Sequence, residues 1–290
     1  MKTMEYWLVS TEHLEDRLWF RDAEDFKAAM NFVAILGCVL GMDILAFVLM
    51  SNHVHFVIRG NREKVLEYVN EFKRRYSIYL SHRYGVKEFL RRNDAHLLLI
   101  EGAEALERAI AYVQMNPVAA GICAHPTQYL WGTGNAFFNQ VQPVGKPLAD
   151  IPNRPRMRML HSECDMLPPD WTVGGEGFIL PHNYLNIKAV EACFRTAKRM
   201  NYFLNTSSKA KKRMDMAEEN LPAFRDQVIL AALPDLCRSL FQKNDFQELA
   251  GAEQTELLRQ LRYRFSSNVN QLARVCGLTY SEAARLLDCA

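Results

Sequence analysis

The sequence predicts an α+β protein: a ferredoxin-like antiparallel sheet with helices on one face, followed by a mainly α-helical C-terminal region. Three observations predict this fold class. In the N-terminal half, short apolar runs alternate with segments of helical periodicity in the order β-α-β-β-α-β-α. A proline-rich stretch interrupts this pattern after about residue 140, and from Leu221 onward the periodicity is helical again.

The predicted strands are short runs of apolar and β-branched residues. They cover Tyr6–Thr11, Met42–Leu49, His53–Arg59 and His96–Ile100. The stretch Met50–Asn52 has the composition of a turn, so the second and third strands are expected to form a hairpin.

Three helices are predicted between and after these strands. The acidic residues of Asp22–Asp25 suit the N-terminus of the first helix. The second helix runs from about Arg62 to Arg83, where apolar residues recur at helical spacing. The third helix ends at Pro117, because proline has no backbone N–H with which to continue it.

The proline-rich stretch divides the chain into three predicted parts. Residues 1–140 are expected to form a compact domain, residues 141–220 a proline-rich arm and linker, and residues 221–290 a helical module. Within this module, Gln271–Val275, Gly277 and Tyr280–Leu287 have the pattern of helix, turn and helix. Two interpretations are open: a helix-turn-helix in which Arg274 and Arg285 contact DNA phosphates, or one more hairpin of a helical bundle.

The amino-acid composition indicates the cellular compartment of the protein but gives little information about its function. The net charge of +2 gives little information about partners, and the seven cysteines are scattered and odd in number. That pattern favours a reducing compartment over a disulfide framework. The N-terminus lacks the apolar core of a signal peptide, and no apolar run approaches the roughly 20 residues that span a bilayer. We therefore expect a cytoplasmic protein with no membrane partner.

His53 and His55 flank a valine in the third predicted strand. Side chains alternate between the two faces of a strand, so both imidazoles lie on one face. Two imidazoles on a rigid strand can hold a divalent metal. Taken alone, the pair is a weak signal and favours two histidines on the solvated face of a sheet over a metal site. The other six histidines have no companion of this kind and are interpreted as ordinary core or surface residues.

Tyr112 and Asn116 form the second pattern. They are four residues apart on a predicted helix, so they share one face, one turn from each other. The amide oxygen of Asn116 can serve as a third ligand for Mg²⁺ or Mn²⁺, and the phenol could then meet a phosphate held by that metal. The alternative makes Tyr112 a core tyrosine and Asn116 a helix C-cap.

Together, the two patterns resemble a known family. The stretches Met50–Ile58 and Tyr112–Ile122 are similar to the REP-associated branch of the single-tyrosine transposases, which belong to the HUH nuclease superfamily. The stretches Phe20–Asp25 and Tyr129–Thr133 support the resemblance, which covers roughly residues 3–140. One departure is Asn116, because insertion-sequence members often carry glutamine in that position.

The resemblance implies a mechanism and a set of partners. His53, His55 and Asn116 would hold one divalent metal, Mg²⁺ or Mn²⁺, while Tyr112 attacks single-stranded or hairpin DNA. Attack would form a covalent 5′-phosphotyrosine and free a 3′-OH that later rejoins strands. Relatives differ in whether the tyrosine helix serves its own subunit, so both a monomer and a homodimer are open. A non-catalytic DNA-binding regulator that kept the fold is the alternative.

Basic residues on and after the second helix provide a candidate DNA surface. Cations neutralise phosphates, and a metal centre that cuts DNA needs a basic approach. The tyrosines of the same helix, Tyr76 and Tyr79, are expected to be buried. The predicted DNA contacts are Lys73, Arg74, Arg75, Arg91 and Arg92.

Overall fold

A four-stranded antiparallel sheet forms the centre of the molecule. The computed structural model describes residues 5–11, 18–87, 90, 95–139, 141, 143–206, 226–265, 267 and 269–288. The strands are β1 (Glu5–Ser10), β2 (Asp43–Met50), β3 (His53–Gly60) and β4 (His96–Ile100). They lie in the order β2-β3-β1-β4, and every neighbouring pair is antiparallel. This order is that of a ferredoxin-like split β-α-β sheet, so the predicted fold class is confirmed.

Helices cover both faces of this sheet. They are α1 (Ala23–Val39), α2 (Arg62–Tyr84) and α3 (Ala103–Ala119). Phe56 of β3 packs against Tyr68 and Phe72 of α2, and α2 packs against α1. The neighbouring side chain on β3, His55, contacts Tyr112 of α3 on the opposite face. The predicted placement on one face therefore holds for α1 and α2, whereas α3 lies on the opposite face, which carries His55.

The helix α3 continues past Pro117, where it was predicted to end. It ends at Ala119, two residues later, so that boundary is wrong. Proline removes the N–H that would reach the carbonyl of Val113. The side-chain amide of Asn116 lies 3.5 Å from this oxygen and donates a hydrogen bond of 2.8 Å to the carbonyl of Tyr112. The side chain thus supplies a donor where the proline has none.

The proline-rich part of the chain packs onto the N-terminal part. It contains α4 (Asn153–Leu160), α5 (Ile187–Phe194), α6 (Ala197–Thr206) and the two-residue strands β5 (Lys146–Pro147) and β6 (Thr172–Val173). Single 3₁₀ turns lie at Pro126–Gln128, Leu148–Asp150, Pro181–Asn183 and Phe246–Glu248.

Asn31 shows how closely this part is joined to α1. Its side chain is fully buried, donates to the carbonyl of Met159 at 3.1 Å and accepts from the backbone of Ile179 at 2.9 Å. Phe178 is only 2% exposed and packs against Trp131. These side chains share one hydrophobic core with the sheet. The boundaries at residues 140 and 220 stay predictions.

The mainly helical C-terminal region is confirmed over the described residues from 226 onward. It contains α7 (Asp226–Phe241), α8 (Gly251–Phe265), α9 (Val269–Cys276) and α10 (Tyr280–Asp288). These helices surround their own apolar core, into which Leu18 from the N-terminal part also packs. Gly277, with φ of 67°, forms the predicted turn between α9 and α10. None of the described helices combines the length and apolar character needed to cross a bilayer.

We expect Phe178→Ala to destabilise the whole sheet domain. The substitution leaves a cavity against Trp131 and should lower the free energy of unfolding by about 3–5 kcal/mol. Urea unfolding followed by near-ultraviolet circular dichroism measures the change. Val144→Ala is the matched control, because Val144 belongs to the same part of the chain and is 93% exposed. Equal unfolding midpoints for Phe178→Ala and wild type would show that this part adds nothing to the core.

Candidate active site

The two histidines of β3 lie side by side on the face that α3 covers. Their ring centroids are 4.8 Å apart and the ring planes are nearly perpendicular. His55 is fully buried, whereas His53 is partly exposed. The spacing is short enough for both imidazoles to reach one cation.

Asn52 sets the orientation of the His53 ring. Its side-chain oxygen lies 3.0 Å from Nδ1 of His53. An amide oxygen only accepts hydrogen bonds, so this contact places the ring proton on Nδ1. Nε2 is then the basic nitrogen, which is the arrangement found where a histidine binds a metal through one nitrogen and is fixed by a partner at the other.

The helix α3 brings Tyr112 to the histidines and carries Asn116 one turn further along. The Tyr112 ring meets His55 edge-on, with centroids 5.4 Å apart and an interplanar angle of 77°. Tyr112 is partly exposed, and Asn116 is 3% exposed. Because Nδ2 of Asn116 donates to the carbonyl of Tyr112, Oδ1 is the atom of this amide that can serve a cation.

The chemistry of this donor set fits a divalent metal. Two imidazole nitrogens and an amide oxygen combine borderline and hard ligands, a mixture that suits Mn²⁺ and its relatives. None of the three carries a charge, so they do not offset the charge of a bound cation. Among the residues that the structure describes, no group of three or more His, Cys, Asp or Glu offers a competing site.

Two contacts hold α3 and the β2–β3 hairpin in place. Glu107 on the outer side of α3 is buried and accepts a 2.8 Å hydrogen bond from Arg199 of α6. The segment 131–133 runs along the outer edge of β2, where the backbone N–H of Leu49 donates to Trp131 and that of Thr133 donates to Phe47. These contacts therefore hold in place the helix that carries Tyr112 and the hairpin that carries the two histidines.

His96 is a neighbour of this site that sequence analysis missed. On β1, Ser10 pairs with His55 of β3 on one side and with His96 of β4 on the other. Directly paired residues point to the same face, so His96 shares the face of His55, two strands or about 10 Å away. His96 is exposed. His55 and His96 share a face because of the register of the strands, and no local pattern in the sequence predicts that register.

The predicted basic approach on α2 does not reach this site. Lys73 is only 5% exposed, which disfavours its predicted contact with DNA. Arg74 and Arg75 are accessible, but α2 lies on the other face of the sheet. Both contact Glu71, and the hydrogen bond from Arg74 holds the pKa of that carboxyl below its ordinary value. Arg91 and Arg92 lie outside the described residues.

The two arginines predicted for the helix-turn-helix lie in the C-terminal region, not on the sheet. Arg274 of α9 is exposed and forms a 2.9 Å ion pair with Asp226 of α7. Arg285 is exposed on α10. Contact of either residue with DNA stays a prediction.

One known protein family matches part of this chain. Residues 15–98 match the family described as "Transposase IS200 like". This segment of the chain therefore carries the signature of the IS200-like transposases, as the motifs indicated. The match includes both histidines, ends before Tyr112 and spans less than a third of the chain.

A solved structure is also similar. It is described as "Structure of the REP associates tyrosine transposase bound to a REP hairpin". The similarity covers 61% of this chain and 92% of that chain, with 14% sequence identity and a TM-score of 0.37. The comparison with curated proteins gives no match.

We expect His53→Ala combined with His55→Ala to remove the strongest Mn²⁺ site while the domain stays folded. Manganese electron paramagnetic resonance measures free and bound metal directly, without any need for activity. His82→Ala is the control, because His82 is an exposed histidine on α2, on the other face. If the double variant titrates like wild type, the cation binds elsewhere.

Proposed function

We propose that this protein is a metal-dependent transesterase of single-stranded or hairpin DNA, a transposase that cuts and rejoins strands through Tyr112. His53, His55 and Asn116 hold a divalent cation, Mg²⁺ or Mn²⁺. The observation that carries this proposal is the contact between the Tyr112 ring and the buried His55 ring on one face of the sheet. It brings a nucleophile-bearing helix and a metal-binding strand together from distant parts of the sequence.

The family match supports the general assignment. The IS200-like segment contains β3 and its histidines, and transposases act on DNA. The tyrosine helix follows that segment and packs on the face of the sheet that carries His55, which supports the proposal. Neither element alone distinguishes catalysis from packing, because histidines and tyrosines are also common in half-buried positions.

The chemistry of the proposed step is a balanced exchange of phosphate esters. The phenol oxygen of Tyr112 attacks phosphorus, and the bond from phosphorus to the 3′ oxygen breaks. The phenol proton passes to solvent, and the leaving oxygen takes up a proton to become a 3′-OH. A bound divalent cation supplies positive charge that polarises the phosphodiester and favours the phenolate. The phosphotyrosine preserves the ester bond, so attack by a 3′-OH rejoins the strand without an energy source.

Two other tyrosines, Tyr76 and Tyr79, are poorly suited to this role. Tyr76 is fully buried, and its phenol donates to the carbonyl of Trp19. Burial raises the pKa of this phenol well above its ordinary value, which disfavours the phenolate. Tyr79 is 7% exposed and donates to the buried carboxylate of Asp25. Both side chains act in the packing of α2, as the sequence analysis expected.

We expect Tyr112→Phe to fold and bind DNA like wild type but to form no covalent adduct. Phenylalanine keeps the ring that packs on His55 and removes only the attacking oxygen. The assay is denaturing electrophoresis of a hairpin oligonucleotide labelled at its 3′ end and incubated with Mn²⁺. The protein attaches to the 5′ phosphate of the downstream fragment, so the label should migrate with wild-type protein.

The control for this assay is Tyr202→Phe. Tyr202 is 63% exposed on α6 and should be dispensable. An adduct that persists in Tyr112→Phe would assign the nucleophile to another residue. Absence of an adduct and of cleavage in wild type, together with retained DNA binding, would favour the non-catalytic regulator.

A further inference from the structure

The turn that precedes His53 is bonded to a helix from the far end of the chain. Ser51, which is 4% exposed, donates from its hydroxyl to the main-chain oxygen of Arg264 at 2.9 Å. The carbonyl of Ser51 accepts from the backbone N–H groups of Trp19 and Phe20 at 2.9 and 3.1 Å. The turn is therefore tied both to the loop before α1 and to the last turn of α8.

Arg264 joins α8 to the same loop. Its side chain is buried, at 6% exposed, and donates through Nη1 to the carbonyls of Phe20 and Arg21. Nε donates to the side-chain oxygen of Gln260 at 3.1 Å. A buried guanidinium is tolerated only where its donors are satisfied, so these carbonyls define where α8 must sit.

These contacts form a closed unit of three segments. We call it the turn clamp: Ser51, Arg264 and the main chain of residues 19–21. Each segment bonds to the other two, so α8 is connected to the β2–β3 turn both directly and through the loop before α1. A partly buried ion pair between Arg21 and Asp235 of α7, 3.5 Å long, adds a second link between the loop and the C-terminal region.

The turn clamp is one residue away from the group that orients the metal site. Asn52 follows Ser51 in the turn, and its side-chain oxygen fixes Nδ1 of His53. If the turn moves, Asn52 moves with respect to the ring, while His55 stays buried under α3. The relative placement of the two imidazoles thus depends on contacts made by the C-terminal helices.

We propose that Ser51 and Arg264 are positioning residues, through which the C-terminal helical region sets the cation affinity of the His53–His55 pair. This inference rests on the proposed function, because it assumes that the pair binds a metal. Groups that orient a metal ligand commonly change metal affinity by about 10- to 100-fold when they are removed. A clamp that acts through Asn52 is expected near the lower end of this range.

The test uses the full-length protein with Arg264→Gln and Ser51→Ala. Mn²⁺ affinity is measured by electron paramagnetic resonance titration, and affinity for a hairpin oligonucleotide is measured in the presence of chelator.

Both variants should bind Mn²⁺ about tenfold more weakly than wild type and should bind the hairpin as wild type does. The double variant should be no weaker than the weaker single variant, because either substitution opens the same unit. Arg259→Gln, an exposed arginine of α8 paired only with Glu256 of the same helix among the described contacts, should be unchanged.

The readout separates positioning from stability. If Arg264→Gln and Ser51→Ala unfold at lower temperature but titrate Mn²⁺ like wild type, the clamp is only structural and the inference is overturned. If Arg264→Gln does not fold, Ser51→Ala decides the question, since it removes a single hydroxyl. The titration of His53→Ala with His55→Ala tests the proposed function itself. If that variant matches wild type, the metal assignment fails, and the positioning role fails with it.

Discussion

The register of β3 between β1 and β2 is the constraint on which the rest of the site depends. It turns His53 and His55 towards α3, and it turns Phe56 towards α2. Shifting the strand by one residue would exchange these faces, placing imidazoles in the apolar core and a phenylalanine at the site. β3 is bonded on both sides, so the pairing that builds the core also aims the candidate metal ligands.

Contacts outside the sheet stabilise the positions of β3 and α3. Arg199 bonds the buried Glu107 of α3, and the turn clamp holds the hairpin turn. At the N-terminus of α1, Asp25 is fully buried and ion-paired with Arg83. Burial raises the pKa of this carboxyl, because desolvation disfavours its charged form. Buried charges therefore link helices on both faces of the sheet, and the proline-rich and C-terminal parts each contribute to the support.

The local periodicity of the sequence was sufficient to predict the secondary-structure elements, but not the contacts between them. The strands of the main sheet, five to eight residues long, and the helices α1 and α2 follow from apolar spacing. The alternation around Val54 predicted the common face of the histidines. The end of α3 was predicted wrongly at Pro117, because the side-chain amide of Asn116 supplies a donor that the proline lacks. The burial of Lys73, the alignment of His96 with His55 and the bond from Ser51 to Arg264 all arise from tertiary packing. No pattern in the sequence brings Ser51 and Arg264 together.

The central claim is that β3 and α3 form one reactive centre, with Tyr112 as its nucleophile. Mass spectrometric mapping of the trapped protein–DNA adduct tests it most directly. A hairpin oligonucleotide is incubated with wild-type protein and Mn²⁺, the complex is digested with trypsin and nuclease, and the modified residue is located by fragmentation. The account predicts a 5′-phosphorylated nucleotide on Tyr112 that is absent when chelator replaces Mn²⁺. A modification on any other residue, or cleavage with no covalent modification, would contradict it.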